Sequence, residues 1–210
     1  MDDVDDVETL ADALGLGRFG VTGVSGGGPA ALAVAARLPD RARAAGVIAG
    51  VVPLEAAGLD YFDGMDEDGR QWYVDLTGPN RDLVIAREWK ETQDWIRHEL
   101  PSSEMAPGLN EMLVSSAEEA MSAGPSGMRD DYLALVGEWG FDVSGVHIPV
   151  RLLYAEDDTT IPPGHARGLR DHLPGSVLTW ISGDHMGVGV EKQRSDRELD
   201  VLAWAATGTT

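Results

Sequence analysis

The stretch "RFGVTGVSGGGPAALAVAARLP", residues 18–39, decides the fold. Its apolar opening, 19–24, reads as a short strand, and the alanine-rich run from residue 26 reads as a helix. Pro29 fits that helix because the first turn has no intrahelical N–H bonds to lose. Between the two lies Gly23-Val24-Ser25-Gly26-Gly27, which matches G-x-S-x-G at a strand-to-helix corner. A serine there must adopt a strained backbone to point its hydroxyl outward, and the residues two before and two after must be small. Both are glycine. The Gly26 N–H, at the helix start, points toward the place where an oxyanion would form, and the helix dipole favours negative charge there. A plain N-cap serine or a phosphate-gripping glycine loop are the rival readings. A Walker loop needs Gly-Lys-Ser/Thr, which is absent, and the glycine spacing fails the dinucleotide fingerprint.

Outward from this corner, Val4, Val7, Leu10, Ala11 and Leu14 recur at helical spacing over 4–14, with Gly15 and Gly17 as the stop. Residues 44–53, "AAGVIAGVVP", form a β-branched run without alternation, as expected of a strand buried on both faces. From 54 to 138 no strand-like run occurs. Stretches such as 81–100 and 108–124 are helical, so this region reads as a helical cap inserted into a core made of 1–53 and 139–210. Strands over 148–156 and 176–182 then alternate with helices over 164–174 and 188–206. Alternating β and α elements predict an α/β protein with a mostly parallel sheet.

A serine nucleophile needs a base, and the base needs an acid to orient it. In this topology they follow in the order serine, acid, histidine, each just after a later strand. "DDTTIPPGHA" follows the strand at 148–156, and "GDHMG" follows the strand at 176–182. Asp157 and Asp158 both compete for the acid. His165 reads as a surface or capping residue, and His98, His147 and His172 as structural, while Asp184 shapes the loop before His185. The acidic stretch 63–72, "DGMDEDGRQW", imitates a calcium loop but has Gly64 where the first acid ligand belongs, so it reads as a solvated turn and no metal site is expected.

On these segments the chain resembles the α/β-hydrolase family over essentially its whole length. "GVSGGGPAALAVAARLPDR" is similar to the family's nucleophile elbow, and 139–187 to its C-terminal block. The resemblance places the acid four residues before the proline of a D-x-x-V/I-P turn, on Asp158 with Pro162, and the base on His185. Tyr154-Ala155 stands where the family often has an aromatic residue and a glycine. The implied activity is that of a serine hydrolase cleaving an ester or related acyl bond of a small molecule, with catalytic Ser25, Asp158 and His185, the oxyanion donor Gly26, and no cofactor. A peptidase similar to proline iminopeptidases, or a silent fragment or interaction module, are the alternatives. The helical region is then a lid whose Trp72, Tyr73, Trp89 and Trp95 either line a pocket or pack its core.

The family places several strands before the elbow, and one of their loops, typically His-Gly, supplies a second oxyanion donor. Here one helix precedes Ser25, so about the first third of the usual fold is expected to be missing. The strand at 19–24 would then be a sheet edge, open to homo-oligomer formation. Loss of one oxyanion donor typically costs ~10²–10³ in turnover. A truncated product, a misplaced start codon and a short form completed by association all account for it, the first two together being the expectation.

Composition narrows the partners. With 36 acidic against 16 basic residues, the formal charge is −20, which argues against nucleic acid and anionic membrane surfaces. The absence of cysteine excludes thiolate chemistry. The acidic N-terminus lacks the plan of a signal peptide, and no run approaches the ~20 apolar residues of a membrane span, so the expected location is the cytoplasm.

Overall fold

A computed structural model describes residues 2–56, 58–102, 109–185, 200–201 and 203–207. The chain divides into two compact units, 1–66 with 137–210, and 67–136. Residues 54–66, read above as part of the insertion, therefore lie with the α/β unit.

In the first unit four strands, β1 (Phe19–Val24), β2 (Ala42–Ile48), β3 (Val150–Ala155) and β4 (Val177–Ile181), form a parallel sheet in the order β1-β2-β3-β4. Thus β1 is an edge of the described sheet. Its helices are α1 (Asp2–Ala13), α2 (Gly27–Arg37) and α7 (Pro163–His172), and residues 200–201 and 203–207 are helical as well. The remainder of the closing helix expected over 188–206 lies outside the described residues.

Side-chain parity shows how the layers form. Register shifts by one residue at the start of β1–β2, where Phe19 pairs with Ala42 but Gly20 with Ala44. Ala42 therefore packs with Val4 of α1 and Val34 of α2, whereas Ala44 meets Trp204 and Ala205 on the opposite face. Ile48 and Leu153 meet Val201 on that same face. Arg151 stacks over the Trp204 ring at 4.5 Å. On the α2 face, Tyr154 meets Trp180 edge-on, and Arg167 of α7 lies 5.7 Å from the Trp180 ring. Helices thus cover both faces of a parallel sheet, as its unbroken apolar strands require.

Only part of the apolar spacing in α1 turns inward. Val4 and Ala11 are buried, but Leu10 and Leu14 are 59% and 63% exposed. Gly15, at φ +67, ends the helix with a bond from the Leu16 N–H to the Ala11 carbonyl. Arg41 then fixes the exit by bonding Leu16 O, Gly17 O and Asp12.

The second unit contains α3 (Glu67–Thr77), α4 (Arg81–His98), α5 (Leu109–Met121) and α6 (Ser126–Val136). Leu76, Val84 and Ile85 form its core, with Trp72, Tyr132 and Val136 packed on it. The acidic stretch 63–72 is not a solvated turn throughout. From Glu67 onward it is helix, and Glu67 and Asp68 occupy the first turn, where acids complement the helix dipole.

The close crossing of β1 and α2 depends on two glycines. A Cβ on Gly23 would stand 2.0 Å from the Gly27 carbonyl oxygen, and one on Gly28 would stand 2.9 Å from the Gly50 Cα. Gly27, expected to be small for the same reason, has nothing within 4 Å of its Cβ position. The steric limit downstream of the serine therefore falls on Gly28. Gly23→Ala is expected to cost at least ~2 kcal/mol by overpacking. Gly27→Ala is expected to be neutral or slightly stabilising, because it lowers the entropy of the unfolded chain. Urea unfolding midpoints of the two variants check the contrast.

Candidate functional site

Three loops at the carboxyl ends of β1, β3 and β4 bring Ser25, Asp158 and His185 together. Ser25 follows β1 at φ +52, a left-handed conformation that costs roughly 1–3 kcal/mol for a residue with a side chain. Two backbone bonds hold it there. Its N–H donates to the Ile48 carbonyl of β2 at 2.8 Å, and its carbonyl accepts from the Gly28 N–H at 3.0 Å. Gly26 is exposed at the N-cap of α2, and no described hydrogen bond occupies its N–H.

A second left-handed residue supports the neighbouring strand end. Ala49, at φ +47, follows β2, and its N–H donates to the Leu153 carbonyl at 2.9 Å. The turn it makes sends the Gly50 carbonyl to the buried Tyr154 hydroxyl, which donates to it at 2.7 Å. Burial raises the phenol pKa well above its ordinary value, so this hydroxyl keeps its proton. Gly50 is the residue against which Gly28 packs, so the Tyr154 bond supports the start of α2 from below.

The carboxylate that meets His185 is that of Asp158, not Asp157. The Glu156 and Asp157 N–H groups donate to Ile181 O and Gly183 O, which ties the exit of β3 to the exit of β4 and leaves the Asp157 side chain exposed. Asp158 is 1% exposed. Its Oδ1 accepts from the Thr160 and Ile161 N–H groups at 2.9 and 2.7 Å, and its Oδ2 lies 2.8 Å from His185 Nδ1. Such a buried carboxylate is tolerated because its lone pairs are taken by charge-assisted donors. The tautomer of His185 follows from it. A carboxylate only accepts, so Nδ1 carries the hydrogen and Nε2 is left as an acceptor. That nitrogen stands 3.1 Å from Ser25 Oγ, within reach of its proton.

The remaining histidines separate clearly. His98, His147 and His172 are exposed, and His172 Nδ1 bonds the Gly168 carbonyl on its own helix. His165 is not the surface or capping residue that its position suggested. It is 1% exposed, with its ring edge-on to Tyr61 at 4.5 Å. Its place on the inward side of α7 carried no signal in a helix with Arg167, Arg170 and Asp171 around it.

Of the aromatic residues read as pocket or core, Tyr73 is buried and Trp89 is half-buried. Trp72 lines a cleft of about 260 Å³ within the helical unit, together with Asp68, Gln71, Asp75, Arg87 and Glu91. Edge-on contacts join Trp72 to Tyr73 and Tyr132. Burial, helped by Glu88 and Asp131, pushes the Tyr132 pKa up to about 12. Among the described residues no group of three or more His, Cys, Asp or Glu is placed to hold a metal, and no helix is long and apolar enough to cross a membrane.

No family model and no curated protein matches the sequence. Solved structures do match. A bromoperoxidase from Bacillus anthracis superposes with a TM-score of 0.63 at 17% identity, over 95% of this chain and 72% of that one. A membrane phospholipase A described as a bacterial virulence factor gives 0.61 at 17% identity, over 96% of this chain and 62% of that one. An enol-lactonase from Burkholderia xenovorans LB400 gives 0.56 at 16% identity, over 95% and 71%. The chain therefore spans less than two thirds of the phospholipase it matches and somewhat more of the other two. With its parallel sheet, its helices on both faces and its serine corner after β1, this chain has the fold of the α/β-hydrolases.

Proposed function

We propose that the protein is a serine hydrolase that cleaves an ester or related acyl bond of a small molecule through an acyl-enzyme. The observation that carries this reading is the hydrogen-bonded chain from Ser25 Oγ through His185 to the buried Asp158. Fold neighbours named as a phospholipase and an enol-lactonase agree with it.

In this mechanism Ser25 Oγ attacks the substrate carbonyl carbon while His185 Nε2 takes its proton. The carbonyl oxygen becomes an oxyanion, which the free Gly26 N–H at the start of α2 stabilises. The tetrahedral adduct then expels the alcohol, which receives the proton held on His185. Water repeats the sequence on the acyl-enzyme, giving up one proton to His185 and releasing the acid and Ser25. Asp158 holds the imidazole in the tautomer that leaves Nε2 unprotonated and stabilises the imidazolium formed in each half. No cofactor enters. On this reading the helical unit, as a lid, selects the substrate, and the protein works without a nucleic-acid or membrane partner in the cytoplasm. Pairing of copies through the β1 edge is a separate proposal, read from the oligomeric state in solution.

A fluorophosphonate probe tests the reading, because it reacts with a serine only when its base is in place. The expected result is a single adduct on Ser25, located by peptide mass spectrometry, and none in Ser25→Ala of unchanged circular dichroism. A folded wild-type chain without adduct sinks the proposal in favour of a silent form. Asp158→Asn is expected to lower the labelling rate by about 10⁴-fold, because the amide donates to Nδ1 and favours the wrong tautomer. Hydrolysis of p-nitrophenyl esters in preference to prolyl amides separates an esterase from a peptidase of the same fold.

A further inference from the structure

His165 is a buried titratable group that the mechanism does not use, and its two ring nitrogens bond two different segments. The Val52 N–H points at Nδ1 at 3.3 Å, and the Tyr61 carbonyl lies 2.9 Å from Nε2. An N–H can only donate and a carbonyl can only accept, so the ring is neutral with its hydrogen on Nε2. This is the opposite tautomer to that of His185.

Each bonded segment leads to one side of the candidate site. Val52 follows Ala49 and Gly50, the turn held by Tyr154 and packed on Gly28 beside the Ser25 corner. Tyr61 begins the segment that clasps the acid loop. Within that segment the Asp66 N–H donates to the Thr159 carbonyl at 3.1 Å, and the Thr159 hydroxyl donates to Asp66 at 3.3 Å. A Cβ on Gly64 would meet the Pro162 ring at 3.3 Å. The acid loop runs directly into α7, where the His165 N–H bonds the Pro162 carbonyl. Gly164 and Gly168, one turn apart on α7, leave room for Leu59 and Val52 to lie close against the helix. One imidazole therefore joins the support of the serine to the support of the acid.

We propose that His165 is a positioning residue whose neutral ring ties the Gly50–Val52 and Tyr61–Asp66 segments to α7, and so holds Ser25 and Asp158 in register. The proposal rests on the reading of Ser25, His185 and Asp158 as a hydrolytic triad. A proton on Nδ1 turns an acceptor into a donor facing the Val52 N–H, which breaks the tie on the serine side. The titratable groups facing the ring are Tyr61, edge-on, and Asp158, whose charge favours protonation. Burial outweighs both the Tyr61 carbonyl and Asp158, and keeps the imidazole pKa below its ordinary value. The sign follows. The tie is fully present above about pH 6.5, the ordinary imidazole value, and is lost as pH falls from there through the lowered one.

Amide hydrogen exchange of the wild-type chain tests this, followed in peptides covering 50–66 and corrected for the intrinsic pH dependence. Across that window protection of the Val52 region is expected to fall about tenfold per pH unit, the slope of one linked proton. In His165→Asn, whose amide oxygen can accept from Val52 but cannot titrate, protection is expected to be flat with pH. The acid limb of Ser25 labelling should fall more steeply through this window in the wild type than in the variant, where the His165 ionisation is gone. Protection of 50–66 that does not change with pH in the wild type overturns the proposal, as does an unaltered labelling limb in a folded His165→Asn or His165→Gln. If neither variant folds, the wild-type exchange decides alone. Absence of any adduct with pH-dependent protection intact counts against the triad reading and supports the tie.

Discussion

The contact on which the rest of this structure depends is the crossing of β1 into α2, where Gly23 lies under the Gly27 carbonyl. A single methyl group there has no room, as the 2.0 Å approach shows. That closeness lets the chain reverse from strand to helix within a few residues, and the reversal is what forces Ser25 into the left-handed region. The strain is offset by backbone bonds to Ile48 and Gly28 and by α2 packing across β1 and β2. A serine placed this way stands clear of the sheet with the start of a helix beside it. Both the reach of the Ser25 hydroxyl to His185 and the open Gly26 N–H follow from one steric fact.

Asp158 and His185 are held by a different device. Asp158 is a buried charge, and three donors converge on it: two backbone N–H groups of its own turn and the imidazole of His185. Removing a buried carboxylate from such donors costs far more than a surface pair would. The bonds from Glu156 and Asp157 to the β4 exit keep the two loops together, so the side-chain bond joins backbones already in place. In the proposed reaction, preorganisation of this kind lets a proton move between Ser25 and His185 without rearrangement of the scaffold.

Comparison of half-buried His185 with buried His165 shows how environment sets what a ring nitrogen can do. His185 faces a carboxylate and a hydroxyl at the mouth of the sheet, and its Nε2 is left to accept. His165 faces an amide and a carbonyl inside the fold, and its ring is used up by them. In the proposed roles the same side chain carries a proton in one place and ties segments together in the other, according to what each nitrogen meets.

The sequence by itself determined the alternation of strands and helices, because burial on both faces leaves apolar runs and helix faces leave a period of three and four. The order serine, aspartate, histidine is legible there too, since each follows a strand, whereas the preference for Asp158 over Asp157 came only with the resemblance to the α/β-hydrolases and its D-x-x-V/I-P turn. Tertiary structure decided what depends on distant neighbours. Leu10 and Leu14 share the helical period of Val4 and Ala11 yet face solvent, because only one side of α1 meets α2 and the sheet. The small-residue requirement moved from Gly27 to Gly28, since it depends on where Gly50 passes. His165 looked solvated among charged residues and is buried, because residues 52 and 61, remote in sequence from residue 165, fold onto α7. Local pattern records which face a residue belongs to; only packing decides what that face will touch.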